Sequence, residues 1–132
     1  MRTRTALVVA LAVGVAIVGT TAQQSGFKRT VLQQGDLSMP GREVVTAIAE
    51  FQPGATVGRH THPGEEAGYV LEGSLVLEQE GKPAVTLGPG KTFLIPAGAI
   101  HNATNNGSAQ ARVLATYIVE KGKPLATLVA AR

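Results

Sequence analysis

The sequence predicts an all-β protein with a single antiparallel domain, and three observations support that fold class. Short runs rich in Val, Ile, Leu and Thr alternate with turn signals at intervals of roughly ten residues, the spacing of a β-sandwich or β-barrel. No segment after residue 22 carries an apolar period of 3.6 residues over three turns, so no core helix is predicted. The chain of 132 residues has the size of one domain.

The strand candidates follow one another from residue 28 to residue 119, and residues that favour turns separate them. Glycine tolerates positive φ and proline fixes φ, so signals such as Pro53-Gly54 and Pro96-Ala97-Gly98 can reverse the chain. The predicted strands are Lys28–Gln33, Glu43–Phe51, Thr56–His62, Glu66–Leu71, Leu75–Gln79, Ala84–Leu87, Thr92–Ile95, Ile100–Thr104 and Ala111–Val119.

The N-terminal segment differs from this pattern and predicts a secretory signal helix. Arg2 and Arg4 precede an apolar run at residues 6–18, and the small residues Thr20 and Ala22 follow it. A positive flank, a short apolar core and small residues at positions −3 and −1 are typical of a cleaved signal peptide. The alternative is an uncleaved membrane anchor, but a spanning helix takes roughly 20 apolar residues.

Cleavage before Gln23 would divide the chain into a signal peptide, residues 1–22, and a mature domain, residues 23–132. We therefore expect a periplasmic or secreted protein with no stable membrane span after cleavage.

The charge balance gives little reason to expect a nucleic-acid partner. Loss of Arg2 and Arg4 reduces the 12 basic residues to 10 against 9 acidic ones, so the net charge falls from +3 to +1. Neither a basic cluster nor a series of stacking aromatic residues is present, and no nucleic-acid binding is expected. The chain has no cysteine, so stability has to come from packing and from any bound metal.

The three histidines of the chain stand beside strand and turn signals. His60 and His62 are two residues apart, so on a strand their imidazoles project from the same face and can chelate a divalent metal. Glu66 follows the turn signal Pro63-Gly64, which could bring its carboxylate beside that pair. His101 begins another predicted strand. A lone histidine or an isolated His-x-His pair is usually structural, so the complete arrangement carries the metal hypothesis.

Two spaced motifs contain these four residues. In the first, Gly54 is followed by five residues, His60-Thr61-His62, three residues, Glu66, six residues and Gly73. In the second, Gly90 is followed by five residues, Pro96-Ala97-Gly98, two residues, His101, three residues and Asn105. This arrangement resembles the cupin superfamily, and the short spacer between the motifs resembles that of small single-domain bacterial members.

The resemblance implies a jelly-roll β-barrel with six to eight strands, in which His60, His62, Glu66 and His101 bind a metal near the open end. It also implies a homodimer, in which the segment Phe27–Gln33 could be exchanged between subunits. Strand alternation aims the neighbouring carboxylate, Glu65, away from the site.

Among the residues that flank the ligands, no catalytic residue could be assigned. Strand parity places Glu72 nearer the ligand face and Tyr69 and Arg59 on the opposite face. We expect Asn105 to stabilise a turn, because asparagine bonds nearby backbone groups and tolerates left-handed φ.

Three imidazoles and one carboxylate leave two positions of an octahedron open to water, dioxygen or a chelating ligand. Nitrogen and oxygen donors suit Mn, Fe, Ni, Cu or Zn, and the absence of thiolate argues against a closed structural zinc site. The first functional hypothesis is a metal-dependent oxygenase or other oxidoreductase that acts on a small organic molecule. The second is a non-catalytic barrel that binds a small molecule or a metal. A purely structural barrel is disfavoured, because four titratable side chains are costly to bury.

Overall fold

The computed structural model describes residues 25–130, which form ten strands and no helix. The predicted signal helix at residues 1–22 lies outside this range. Nothing within the range forms a helix long and apolar enough to cross a membrane. The strands are β1 (Phe27–Asp36), β2 (Arg42–Phe51), β3 (His60–Thr61), β4 (Gly64–Glu72), β5 (Leu75–Gln79), β6 (Val85–Leu87), β7 (Thr92–Ile95), β8 (His101–Thr104), β9 (Ala111–Glu120) and β10 (Thr127–Leu128).

The strands form two five-stranded antiparallel sheets. Sheet A has the order β1-β2-β9-β4-β7, and sheet B has the order β10-β3-β8-β5-β6. Most neighbours are not consecutive in sequence, so the chain crosses repeatedly between the sheets, as a jelly roll requires. The predicted all-β jelly-roll barrel is confirmed, but residues 25–130 form ten strands where six to eight were expected.

Period-two alternation builds the core of sheet A. Along β2 and β9 every second side chain is buried, and the two strands pair without interruption from Arg42 opposite Glu120 to Phe51 opposite Ala111. Strand pleating explains this pattern, since successive side chains point to opposite faces. The buried side chains of these two strands are Val45, Ala47, Ala49, Phe51, Ala111, Val113, Ala115, Tyr117 and Val119.

Small residues on three neighbouring strands form a row across the middle of the inner face of sheet A. Ala47 pairs with Ala115, and Ala115 pairs with Gly68 on β4. The Phe93 ring lies over Gly68, where an added Cβ would be 2.1 Å from the ring atom Cζ. Because Gly68 has no side chain, the Phe93 ring of the neighbouring strand β7 can lie against the inner face of sheet A.

Strand boundaries differ from the prediction by one or two residues in most strands, and the largest differences occur in three places. The predicted strand Thr56–His62 is wrong over most of its length, because Gly58 adopts a φ of 86° that interrupts the extended backbone. What remains is β3 and one isolated bridge between Thr56 and Thr104. Strand β1 continues to Asp36, and β10 was not predicted at all.

Asn105 stabilises the turn after β8, as predicted, but through hydrogen bonds alone. Its buried Nδ2 group donates to the carbonyl oxygens of Phe51 (3.0 Å) and Ala109 (2.8 Å), and its Oδ1 accepts from the Gly107 amide (2.9 Å). No non-glycine residue between 25 and 130 has positive φ, so left-handed backbone is not the reason for asparagine here.

Candidate metal centre

The three histidines converge because two short strands of sheet B lie side by side. His60 on β3 pairs directly with His101 on β8, and their ring centroids are 4.1 Å apart. His62 immediately follows β3, with its ring centroid 4.8 Å from that of His60 and 5.0 Å from that of His101. All three side chains are buried. The spacing therefore places the imidazoles together, as predicted.

Glu66 reaches the same point from sheet A. Burial alternates along β4, so that Glu66 faces inward and Glu65 is exposed, as strand parity predicted. The Glu66 Oε2 atom is 3.0 Å from Nε2 of His62 and 3.2 Å from Nε2 of His101. One potential ligand atom from each of the four residues lies within 4.8 Å of all the others.

Backbone carbonyls set the orientation of all three imidazoles. Each Nδ1 lies within hydrogen-bond distance of a carbonyl oxygen, which can only accept, so Nδ1 carries the proton and donates it. The Nε2 lone pair of each ring is therefore free to bind a metal. The bonds run from His60 to Gly58 (2.7 Å), from His62 to Leu125 (2.6 Å) and from His101 to Ala99 (2.9 Å).

The resulting cluster consists of acceptors without a donor. In these tautomers the Nε2 atoms and the Glu66 carboxylate all present lone pairs, and Nε2 of His62 is buried without a hydrogen-bond donor. Uncompensated acceptors at this separation are unfavourable in a buried site. A cation would satisfy all four groups. Two ligand atoms about 2.1 Å from a metal ion and at right angles to each other lie about 3.0 Å apart, as Glu66 Oε2 and His62 Nε2 do here.

The protonation states suit metal binding at neutral pH. Burial, together with the charges of His101 and His62, lowers the pKa of His60 to about 4 although the hydrogen bond to Gly58 acts in the opposite direction. Burial by itself would raise the pKa of Glu66, but its carboxylate accepts hydrogen bonds from His101 and His62 when these rings are protonated, and this pairing lowers the pKa to about 2. His60 is therefore neutral and Glu66 is ionised, the forms that bind metal.

A small cavity lies beside the cluster. Its volume of about 30 Å³ leaves space for a small molecule. Aromatic and aliphatic side chains from both sheets form most of its wall. The lining residues are Phe27, Arg29, Ala49, Phe51, Val57, His60, Glu66, Leu75, Leu77, Phe93, His101, Ala103, Val113 and Tyr117.

Two polar residues of this cavity, Tyr117 and Arg29, were not predicted. Tyr117 is the cross-strand neighbour of Glu66, and its ring centroid is 4.8 Å from that of His62. Its hydroxyl accepts a hydrogen bond from Nε of Arg29 at 3.2 Å. Burial, and secondly the charge of Glu66, raises the pKa of Tyr117 well above its ordinary value, so the hydroxyl stays protonated. Alternation along the predicted strand Ala111–Val119 places Tyr117 on the inward face, and this position is the sequence feature that could have identified it.

For the residues that flank the ligands in sequence, two of the predicted orientations are confirmed and one is wrong. Tyr69 is 45% exposed and Arg59 is exposed, so both face away from the ligands as predicted. The placement of Glu72 nearer the ligand face is wrong. A register shift between Val70 and Glu72 breaks the alternation, and Glu72 forms an exposed ion pair with Arg112 at 2.9 Å.

Asn102 supports His60 indirectly, a role the sequence analysis did not identify. Its Oδ1 accepts hydrogen bonds from the Gly58 amide and from Thr56 Oγ1, both at 2.9 Å. These bonds hold Gly58, whose carbonyl accepts the Nδ1 proton of His60. Since partners behind the ligands orient them, Asn102 contributes to the geometry of the cluster.

The C-terminal segment supports His62. Strand β10 pairs with β3, and the Val129 amide donates to the Arg59 carbonyl at 2.9 Å. This pairing holds Leu125, whose carbonyl oxygen is the partner of His62. The cluster therefore depends on residues beyond the two motifs.

A comparison with protein families decides the family of the chain. Residues 47–117, which include all four candidate ligands, match the family described as Cupin domain. The chain belongs to the cupin family. The match covers more than half of the chain, and the predicted superfamily is confirmed.

The curated relatives share this cupin region. The chain is 34% identical over 79 residues to the HTH-type transcriptional regulator PuuR of Escherichia coli (strain K12), a match that covers 59% of the chain and 42% of that protein. It is 40% identical over 67 residues to germin-like protein subfamily T member 3 of Arabidopsis thaliana, which covers 47% of the chain and 30% of that protein. The matches therefore span less than half the length of these relatives.

Solved cupin structures resemble the whole barrel. An oxalate oxidase in complex with the substrate analogue glycolate has a TM-score of 0.65 and 26% identity, over 84% of this chain and 59% of that one. The DMSP lyase DddQ from Ruegeria pomeroyi DSS-3 has a TM-score of 0.65 and 23% identity, over 78% of this chain and 51% of that one. The second similarity shows the fold alone.

Substitution of Asn102 tests the indirect support of His60. Asn102→Ala removes the acceptor of the Gly58 amide, and we expect it to weaken transition-metal affinity by about 10-fold to 100-fold. Competition with a chromophoric chelator measures the affinity.

Glu78→Gln is the matched control, since Asn102 contacts Glu78 only through Nδ2, at 3.3 Å, and keeps its Oδ1 bonds in this variant. Unchanged affinity in a folded Asn102→Ala protein would contradict the assigned role.

Proposed function

We propose that this cupin is a metal-dependent oxygenase or other oxidoreductase that acts on a small organic molecule bound against the metal. The supporting observation is the buried cluster of three Nε2 lone pairs and one carboxylate beside a cavity. Four protein ligands leave two positions of an octahedron for other molecules. The ligand set suits Mn, Fe, Ni, Cu or Zn.

Different residues of the chain would have different roles in such a reaction. His60, His62, Glu66 and His101 would hold the ion, which when bound supplies Lewis-acid polarisation of an oxygen atom or a lowered pKa of water. The Tyr117 hydroxyl accepts from Arg29 and lies beside Glu66, so its own proton could be donated either to that carboxylate or to a substrate oxygen. The apolar lining of the cavity limits water near the reacting atoms.

The similarity to an oxalate oxidase supports an oxidoreductase. That protein is larger than this chain and only 26% identical to it, so the substrate does not follow from the similarity. The similarity to PuuR is confined to less than half of that regulator. The expectation that this protein binds no nucleic acid stays a prediction.

A second candidate function is a non-catalytic barrel that binds a small molecule or a metal. The mostly apolar lining of the cavity favours it, because few polar groups are positioned to act as acid or base. The two candidates differ in turnover: a binding barrel would hold metal and ligand without consuming dioxygen or converting the ligand.

Metal analysis followed by oxygen-consumption assays tests the enzyme. Purified protein loaded with each candidate metal would be screened against small phenols and carboxylates. We expect turnover that falls at least about 100-fold in Glu66→Ala, since this variant removes the carboxylate ligand.

Glu65→Ala is the matched control, because Glu65 is the adjacent but exposed carboxylate. Retained turnover in Glu66→Ala would contradict the assignment of the activity to this metal centre. Binding of metal and ligand without turnover would favour the binding barrel.

Export is the second part of the proposal. Arg2 and Arg4, the apolar run and the small residues before Gln23 support a signal peptide at residues 1–22, a domain at 23–132 and a bacterial periplasmic or secreted location. N-terminal sequencing of the exported protein should begin at Gln23. Protein that begins at Met1 and fractionates with membranes would indicate an anchor instead.

The homodimer is also proposed, on the basis of family resemblance. Strand β1 is an edge of sheet A, and its Val31 and Leu32 side chains are 51% and 58% exposed. An edge strand with exposed apolar side chains is suited to pairing with a second chain. Light scattering coupled to gel filtration would report a dimer mass, and a monomer mass at micromolar concentration would contradict it.

A further inference from the structure

Arg29 brings a positive charge to the wall of the metal cavity. It lies on β1 opposite Ala49, and it lines the same cavity as His60, Glu66 and His101. Among the described residues that line this particular cavity, Arg29 is the only arginine or lysine. The metal ligands and this guanidinium therefore face one space.

Two aromatic rings and one hydrogen bond hold the guanidinium in place. Its Cζ atom lies 5.3 Å from the ring centroid of Phe27 and 5.5 Å from that of Tyr117. Its Nε donates to the Tyr117 hydroxyl at 3.2 Å. Cation–π contacts and a fixed Nε restrict the rotation of the planar group, so it is preorganised for a ligand.

The terminal nitrogens of Arg29 remain unused by the protein. Within residues 25–130 neither Nη atom forms a hydrogen bond, and no carboxylate forms an ion pair with Arg29. Glu66, the carboxylate of this cavity, contacts His62 and His101 instead. A partly buried cation without a counter-ion is unfavourable, and an anionic ligand would supply one.

We propose that Arg29 binds the carboxylate of the substrate and thereby selects small carboxylic acids, an inference that rests on the proposed function of the metal centre. The two Nη groups form a planar fork that matches the two oxygens of a carboxylate. The small volume of the cavity, about 30 Å³, favours a small acid over a bulky one. A second oxygen of the same small acid would then face the metal ligands.

Calorimetric titration of metal-loaded protein with glycolate tests this inference, with ethylene glycol as the uncharged counterpart. We expect wild-type protein to bind glycolate at least about 10-fold more tightly than ethylene glycol, because only glycolate has a carboxylate. Arg29→Gln should weaken glycolate binding by about 10-fold to 100-fold and leave ethylene glycol binding and metal content unchanged.

Lys28→Gln is the matched control, because Lys28 is the adjacent cation on the exposed face of β1. It should bind glycolate as wild type does, which excludes a general effect of net charge. Arg29→Lys keeps the charge but loses the planar fork, so an intermediate loss is expected even if Arg29→Gln does not fold.

The inference is overturned if wild-type protein binds glycolate no more tightly than ethylene glycol, or if both Arg29 variants bind it as wild type does. Failure of the proposed function would give a different experimental result from failure of the role of Arg29. Arg29-dependent glycolate binding by a protein that takes up no metal would refute the metal-dependent enzyme and leave the role of Arg29 intact. Metal-dependent turnover of glycolate with equal KM in wild type and Arg29→Gln would refute the role of Arg29 alone.

Discussion

Four buried acceptors, the Nε2 atoms of His60, His62 and His101 and the carboxylate of Glu66, converge without a donor among them. The rest of the structure keeps these acceptors together against their mutual repulsion. Backbone carbonyls take the Nδ1 protons, and the pairing of β3 with β8 and β10 fixes those carbonyls. Since a cation would remove the repulsion, metal binding and folding stability should be coupled.

The two sheets contribute different groups to the cavity. Sheet B supplies the imidazoles of His60 and His101, whereas sheet A supplies the carboxylate of Glu66 and the donors Tyr117 and Arg29. Small inner-face residues such as Ala47 and Ala115 leave room between them. A ligand that carries negative charge at one end and a metal-binding oxygen at the other would match both walls.

Most of the long strands could be predicted from local rules, and the four candidate ligands could be predicted from the resemblance of the two spaced motifs to the cupin superfamily. Period-two alternation and glycine–proline turns predict the long strands, and the same alternation separates Glu66 from Glu65. Alternation failed at Glu72, where the register shifts. The Arg29–Tyr117 contact joins residues 88 positions apart through the pairing of β1, β2 and β9, and no local pattern predicts such a contact.

X-ray absorption spectroscopy of the metal-loaded protein tests the metal centre most directly. The four converging groups predict three imidazole nitrogens and one carboxylate oxygen at about 2.0–2.2 Å from the metal, with solvent or substrate completing the shell. In His101→Ala the imidazole scattering should fall by about one third. A first shell without imidazole, or wild-type protein that retains no metal after gel filtration, would contradict the assignment.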